Sequence, residues 1–225
     1  MSKPMIDPEA LISMFEQATA KQGAQLRKAA GDATLAALQG RELTLKNIRG
    51  ALKTVSEAAS QGVAKNIVQG VDPEALLDKA VAGMDDALLK AVEANQKALS
   101  TLAAQGASLR EGHLQKALAD LEKMEDSLFA TLKKTASSAG APMAGAWGSV
   151  LEKMQTQGTL SGAQATATAQ DMAEQMQAAV RSTRAAGFRA AQVMAESYTA
   201  MVSGVLLGMS EALQSTAPAK KAARK

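Results

Sequence analysis

The chain has 225 residues with no cysteine, one histidine and five aromatic residues, and alanine alone fills 49 positions. The low content of β-branched and aromatic residues disfavours β-sheets. The abundant Ala, Leu, Met, Gln, Lys and Glu lose little side-chain entropy in a helix. The absence of cysteine excludes disulfides, thiolate metal sites and thiol nucleophiles. We therefore predict an all-α protein. Burial of apolar surface stabilises a core by about 25 cal/mol per Å², and each alanine buries little such surface. Because a core made largely of alanine is therefore weak, we also expect a homo-oligomer.

Two similar segments in the N-terminal half of the chain predict a duplicated unit. The sequence Ile-Asp-Pro-Glu-Ala-Leu-Ile at 6–12 returns as Val-Asp-Pro-Glu-Ala-Leu-Leu at 71–77. Each segment has an N-cap aspartate, a proline at the first helical position and a glutamate near the positive end of the helix dipole. We predict two tandem αα-hairpins in units 1–70 and 71–134. The expected helices are 8–38 and 42–69 in the first unit, and 73–104 and 109–134 in the second.

Small residues dominate the next segment. Residues 135–168 predict a flexible linker with one short helix that begins near Pro142 and ends near Met154. Residues 169–214 then predict a long amphipathic helix, and 215–225 a disordered basic tail.

The predicted long helix carries an apolar stripe with an 11-residue period. Such a period corresponds to about 3.67 residues per turn, so the stripe runs almost straight along the helix. A helix of this kind can lie on a flat apolar surface or pack in a nearly unsupercoiled bundle. Residues 197–210 contain no charge, and Gly204 and Gly208 would let a partner helix approach closely. The stripe consists of Met172, Met176, Val180, Ala191, Met194, Tyr198, Val202, Val205, Met209 and Leu213.

The net charge of +3 comes from the C-terminal tail. Removing the four cations Lys220, Lys221, Arg224 and Lys225 from this total leaves −1 for residues 1–219. The tail is similar to the Ala/Pro/Lys tails of histone-like bacterial proteins, which bind phosphates by counterion release. It predicts weak, non-specific nucleic-acid contact, with a merely solubilising end as the alternative.

No constellation of residues indicates catalysis. His113 has no second histidine or cysteine with which to bind a metal, and no serine lies in a nucleophile motif. The acidic groups Asp85-Asp86 and Glu122, Glu125 and Asp126 are typical of a solvated helix face. We expect no enzyme activity, cofactor or metal. No apolar stretch reaches the length of a transmembrane helix, and the N-terminus lacks a signal peptide, so we expect a cytoplasmic protein.

Residues 170–213, together with the Pro-Ala-Lys-Lys tail, resemble the phasins, which coat polyhydroxyalkanoate storage granules in bacteria. The resemblance lies in Ala-, Gln- and Met-rich amphipathic helices without cysteine. It implies a non-enzymatic, self-associating helical protein on a storage-granule or lipid surface. The alternatives are a nucleoid-associated protein that acts through its basic tail, and a helical-bundle adaptor.

Overall fold

The computed structural model describes residues 7–38, 44–66, 71–104 and 119–182. Within these ranges the chain is helical apart from short turns, and no strand occurs there, which confirms the all-α prediction. A short 3₁₀ helix, Ala20–Gln22, precedes the second α-helix. The α-helices of the described ranges are α1 Pro8–Glu16, α2 Gly23–Leu38, α3 Leu45–Asn66, α4 Pro73–Ala104, α5 Met124–Ser138, α6 Ala141–Gln157 and α7 Leu160–Ser182.

The two Asp-Pro-Glu segments begin helices as predicted. Asp7 Oδ1 accepts hydrogen bonds from the backbone amides of Glu9 and Ala10, both at 3.1 Å. Asp72 Oδ1 accepts the equivalent bond from the Glu74 amide at 3.0 Å. Each following proline is the first helical residue. Both helix starts are thus determined by local sequence.

The predicted helix 8–38 is divided into α1 and α2. The break follows Gln17, and a capping box between Thr19 and Gln22 begins the next turn. Asn66, at the end of α3, is buried and donates from Nδ2 to the carbonyl oxygens of Phe15 and Ala18 at 2.8 and 2.9 Å. These bonds satisfy carbonyls at the end of α1, so a residue about 50 positions away stabilises the break.

The contact between α1 and α3 lies within the first predicted hairpin, whereas the other main contacts join the two predicted units or involve α7. Helix α2 packs chiefly on α4, α1 on α3, α3 on α5, and α4 also on α7. Ser56 and Thr135 hydroxyls are hydrogen-bonded at 2.9 Å, and Arg49 donates to Ser127 Oγ at 3.2 Å. Helices α3 and α5 therefore run in the same direction. The buried hydrophobic residues of all these helices form one cluster rather than two hairpin cores.

Glycines allow two of these helix pairs to approach closely. A Cβ at Gly83 would overlap the carbonyl oxygen of Arg27, so α2 and α4 touch through their backbones. A Cβ at Gly62 would likewise overlap the carbonyl oxygen of Ile12, where α3 crosses α1. These two glycines therefore determine how closely the helices of each pair approach.

The short helix predicted near Pro142 to Met154 is present as α6, but the rest of the segment 135–168 is also mostly helical rather than a flexible linker. Helix α5 continues to Ser138, α6 occupies 141–157, and α7 begins at Leu160. Trp147 is fully buried and donates its indole N–H to Ser60 Oγ at 3.3 Å. The buried large residues of α6 recur at helical spacing and outweigh the small residues between them: Met143, Trp147, Val150 and Met154.

Candidate functional site at the start of the C-terminal helix

A two-residue turn separates α6 from α7. Gly158 has φ 69° and ψ −171°, a backbone conformation open essentially to glycine alone. Its amide donates to the Met154 carbonyl at 2.8 Å and so closes the end of α6. Thr159 follows, and its hydroxyl accepts from the Gly162 amide at 3.0 Å. The local sequence therefore ends one helix and begins the next within Gly158-Thr159.

Two carboxylates from other helices cap α7. Asp85 on α4 accepts from the amides of Leu160, at 2.8 Å to Oδ2, and Ser161, at 3.0 Å to Oδ1. Glu125 on α5 accepts through Oε1 from the Thr159 amide at 3.1 Å and the Thr159 hydroxyl at 2.8 Å. The first amides of a helix have no intrahelical acceptor and form the positive end of its dipole. The two carboxylates therefore compensate both the open donors and the dipole.

Gly162 makes room for this arrangement. A Cβ at Gly162 would occupy the space of the Glu125 carboxylate group. The glycine in the first turn of α7 thus allows the charged group to approach the helix start directly.

The prediction that these acidic residues form a solvated face is wrong for Asp85 and Glu125. Asp85 is only 8% exposed and Glu125 is half-buried. Asp85 follows Val81 by four residues and precedes Leu88 by three, so it lies among buried apolar positions of α4. That helical spacing is the sequence signal that marks Asp85 as a buried residue.

The other acidic positions differ from these two. Asp86 forms a bidentate ion pair with Arg27, with Nε–Oδ2 2.5 Å and Nη2–Oδ1 2.6 Å. This hydrogen bond raises the pKa of Arg27, against an opposing effect of desolvation. Glu122 and Asp126 are exposed, as expected. His113 lies outside the described residues.

The side of α7 that faces the body is small and partly polar. Between 160 and 171 its buried residues are Ser161, Gly162, Ala165 and Thr168, while Leu160 is 57% exposed. The hydroxyls of Ser161 and Thr168 are buried without a hydrogen-bond partner. Helix α7 contacts mainly α4, and one polar contact between them is the 3.3 Å bond from Gln164 to Gln96. None of the large side chains that fill the rest of the core lies on this stretch of α7.

The predicted apolar stripe begins on α7. Met172, Met176 and Val180 lie within this helix. Met172 and Met176 follow the buried Thr168 at intervals of four residues, so Thr168, Met172 and Met176 share a helical face. The rest of the stripe lies outside the described residues: Ala191, Met194, Tyr198, Val202, Val205, Met209 and Leu213. The tail cations Lys220, Lys221, Arg224 and Lys225 also lie outside them. The 11-residue period and the role of the tail remain predictions.

An open groove between α5 and α6 adjoins this site, because Glu125 and Gly158 belong to its lining. Its volume is about 630 Å³, and its lining mixes charged and apolar side chains, among them Asp126, Phe129, Lys133, Leu151 and Met154. In the described ranges no group of three or more potential metal ligands occurs. No helix there is long and apolar enough to cross a membrane.

These features define an all-helical protein whose last described helix is capped by carboxylates from two other helices. The chain belongs to DUF6781, a family of unknown function whose model matches residues 1–215. The match includes every stripe position and stops before the four tail cations. No curated protein and no solved structure matches the chain.

Proposed function

We propose that this protein coats or scaffolds a hydrophobic surface without catalysing a reaction, in the manner of the phasins. Its C-terminal helix adsorbs to a storage-granule or lipid surface through the apolar stripe, and copies of the chain associate with one another. The observation that carries the proposal is the continuous helix α7. It contains Met172, Met176 and Val180, and its first turn is capped by the body of the protein.

The chemistry of the stripe suits a fluid or irregular apolar phase. Methionine is flexible and polarizable, so it adapts to surfaces without fixed shape. The strength of interfacial binding by an amphipathic helix increases with the apolar area that it buries. A period close to that of a relaxed α-helix keeps this area on one side over many turns.

The range of residues that the family model matches favours the helix, rather than the tail, as the functional element. The match to DUF6781 covers the whole stripe and ends at residue 215. We therefore assign adsorption to the helix. The tail remains a second, sequence-based candidate for weak nucleic-acid binding.

Adsorption is tested with the full chain and polyhydroxybutyrate particles or a phospholipid-stabilised oil emulsion, by co-sedimentation. The test variant carries Met194→Asp, Val202→Asp and Met209→Asp on the stripe. The matched control carries Ala185→Asp, Ala200→Asp and Ser203→Asp, which helical spacing places away from the stripe. Burial of each large side chain contributes about 1.5–3 kcal/mol, so the stripe variant is expected to bind at least about tenfold more weakly than the control. Equal binding by the two variants, or no binding by the wild-type chain, would reject the proposal.

The alternatives have separate readouts. A tail-dependent, salt-sensitive shift of duplex DNA, lost in a chain ending at residue 217, would favour the nucleoid-associated function. A protein that self-associates in light scattering but ignores particles and DNA would favour the adaptor. A monomer at all concentrations would argue against self-association.

A further inference from the structure

Helix α7 is fixed more firmly at its start than along its side. Residues 159–161 donate four hydrogen bonds to the carboxylates of Asp85 and Glu125. Beyond them, the buried side of the helix to residue 171 offers only small residues and two hydroxyls without partners. A buried polar group without a hydrogen bond disfavours the packed state. The inner residues of α7 therefore stabilise its packing on α4 less than large apolar side chains at the same positions would.

The element before α7 is held independently of it. In α6, the buried Trp147 is hydrogen-bonded to Ser60 on α3. Lys153 forms ion pairs with Glu74 and Asp78 on α4. None of these contacts involves α7. Motion of α7 can consequently be absorbed by the two-residue turn at Gly158 without moving α6.

A closed α7 conceals apolar surface on α4. Asp85 and Gln96 both contact α7. Val92 and Leu99 share their side of α4 by helical spacing, and both are fully buried. Opening of α7 would expose these side chains together with the inner side of α7 itself.

We propose that α7 is a latched arm. The carboxylates of Asp85 and Glu125 are the latch, Gly158 is the pivot, and release exposes the apolar side of α4 together with the inner side of α7. The biological role of this release rests on the proposed function, since both exposed surfaces could then adsorb to a hydrophobic phase. The latch itself is a property of the free protein and is testable without any particle.

The first experiment measures amide hydrogen exchange in the free, full-length protein. Asp85→Asn retains the size of the side chain but replaces one acceptor oxygen with a donor, and Glu125→Ala removes the second cap. Loss of a helix cap is expected to accelerate exchange of the α7 amides about five- to tenfold, while α1 to α3 keep their wild-type rates. Asp126→Ala, at the exposed position next to Glu125, is the control and is expected to change exchange less than twofold. Uniform acceleration in all helices, or no acceleration in α7, would overturn the proposal.

The second experiment closes the latch covalently. Because the chain contains no cysteine, Gln96→Cys with Gln164→Cys supplies a single thiol pair at a contact between α4 and α7. A short bis-maleimide, which adds one cysteine thiol to each of its double bonds, is expected to slow α7 amide exchange and to reduce particle adsorption at least about threefold. Each single-cysteine variant, treated with the same reagent, is the control. If the wild-type chain adsorbs and the crosslinked chain adsorbs equally well, the latched arm is refuted. If the wild-type chain fails to adsorb, the proposed function fails, and the exchange data alone decide on the latch.

Discussion

Replacement of Gly83 with alanine is expected to push α2 and α4 apart. The new Cβ would overlap the carbonyl oxygen of Arg27 and lie 2.9 Å from the amide nitrogen of Gly31 and 3.0 Å from the Cβ of Ala30. None of these atoms is the far end of a flexible side chain. The clash can therefore be relieved only by movement of a helix backbone.

The magnitude follows from two opposing contributions. Alanine in place of glycine in a helix favours folding by about 1 kcal/mol. Overpacking of a tight contact costs about 1–3 kcal/mol, and sometimes more. Because the overlap here is with backbone, we take the upper end and expect a net loss of about 2 kcal/mol in the free energy of unfolding.

Gly50→Ala is the matched control for this substitution. Gly50 is exposed on α3, and a Cβ there meets no atom within 4 Å. Only the helix-propensity contribution applies, so a gain of about 0.5–1 kcal/mol is expected. The same chemical change should thus have opposite signs at the two positions.

Urea unfolding followed by far-UV circular dichroism measures both variants against the wild type, with the slope m compared to exclude a change in cooperativity. If Gly83→Ala stabilised the protein as much as Gly50→Ala does, the close backbone contact between α2 and α4 would be refuted.

Three further substitutions test contacts of the bundle. Ser60→Ala leaves the indole N–H of Trp147 buried without an acceptor and should cost about 1–3 kcal/mol in urea unfolding followed by tryptophan fluorescence; an unchanged midpoint would contradict the contact. Asn66→Ala removes the side-chain donor that satisfies the carbonyls at the end of α1 and should lower the free energy of unfolding by a similar amount, about 1–3 kcal/mol. Amide hydrogen exchange should then be fastest in α1, and wild-type protection of α1 would contradict this role of Asn66. Hydrogen bonding to Lys153 lowers the pKa of Glu74, and the pKa of Lys153 is raised. The stability from this exposed pair is present at neutral pH and is lost as pH falls through the lowered pKa of Glu74 or rises through the raised pKa of Lys153. Lys153→Met should therefore lower the thermal midpoint slightly at neutral pH and low salt, but not in acid or high salt; a salt-independent loss would contradict an electrostatic origin.

The sequence by itself determined the helical class and the starts of α1 and α4. Asp7 and Asp72 cap the residues two or three positions after them, so these features depend on neighbours along the chain. Composition likewise excluded thiol chemistry, because a chain without cysteine has no thiol in any fold. The apolar stripe stays a prediction from local periodicity, and only its first three positions lie on a described helix.

Only the tertiary structure decided which helices are neighbours and what the acidic residues do. Asp85 and Glu125 were visible in the sequence, but their target amides at 159–161 lie 34 to 76 positions away along the chain. Trp147 lay in a short helix predicted inside a linker, but its burial and its hydrogen bond to Ser60 on α3 depend on contacts between distant helices. The physical reason is common to these cases. A helix cap within one turn is a local interaction, whereas a cap from another helix, or a backbone contact at Gly83, exists only once several helices have packed together.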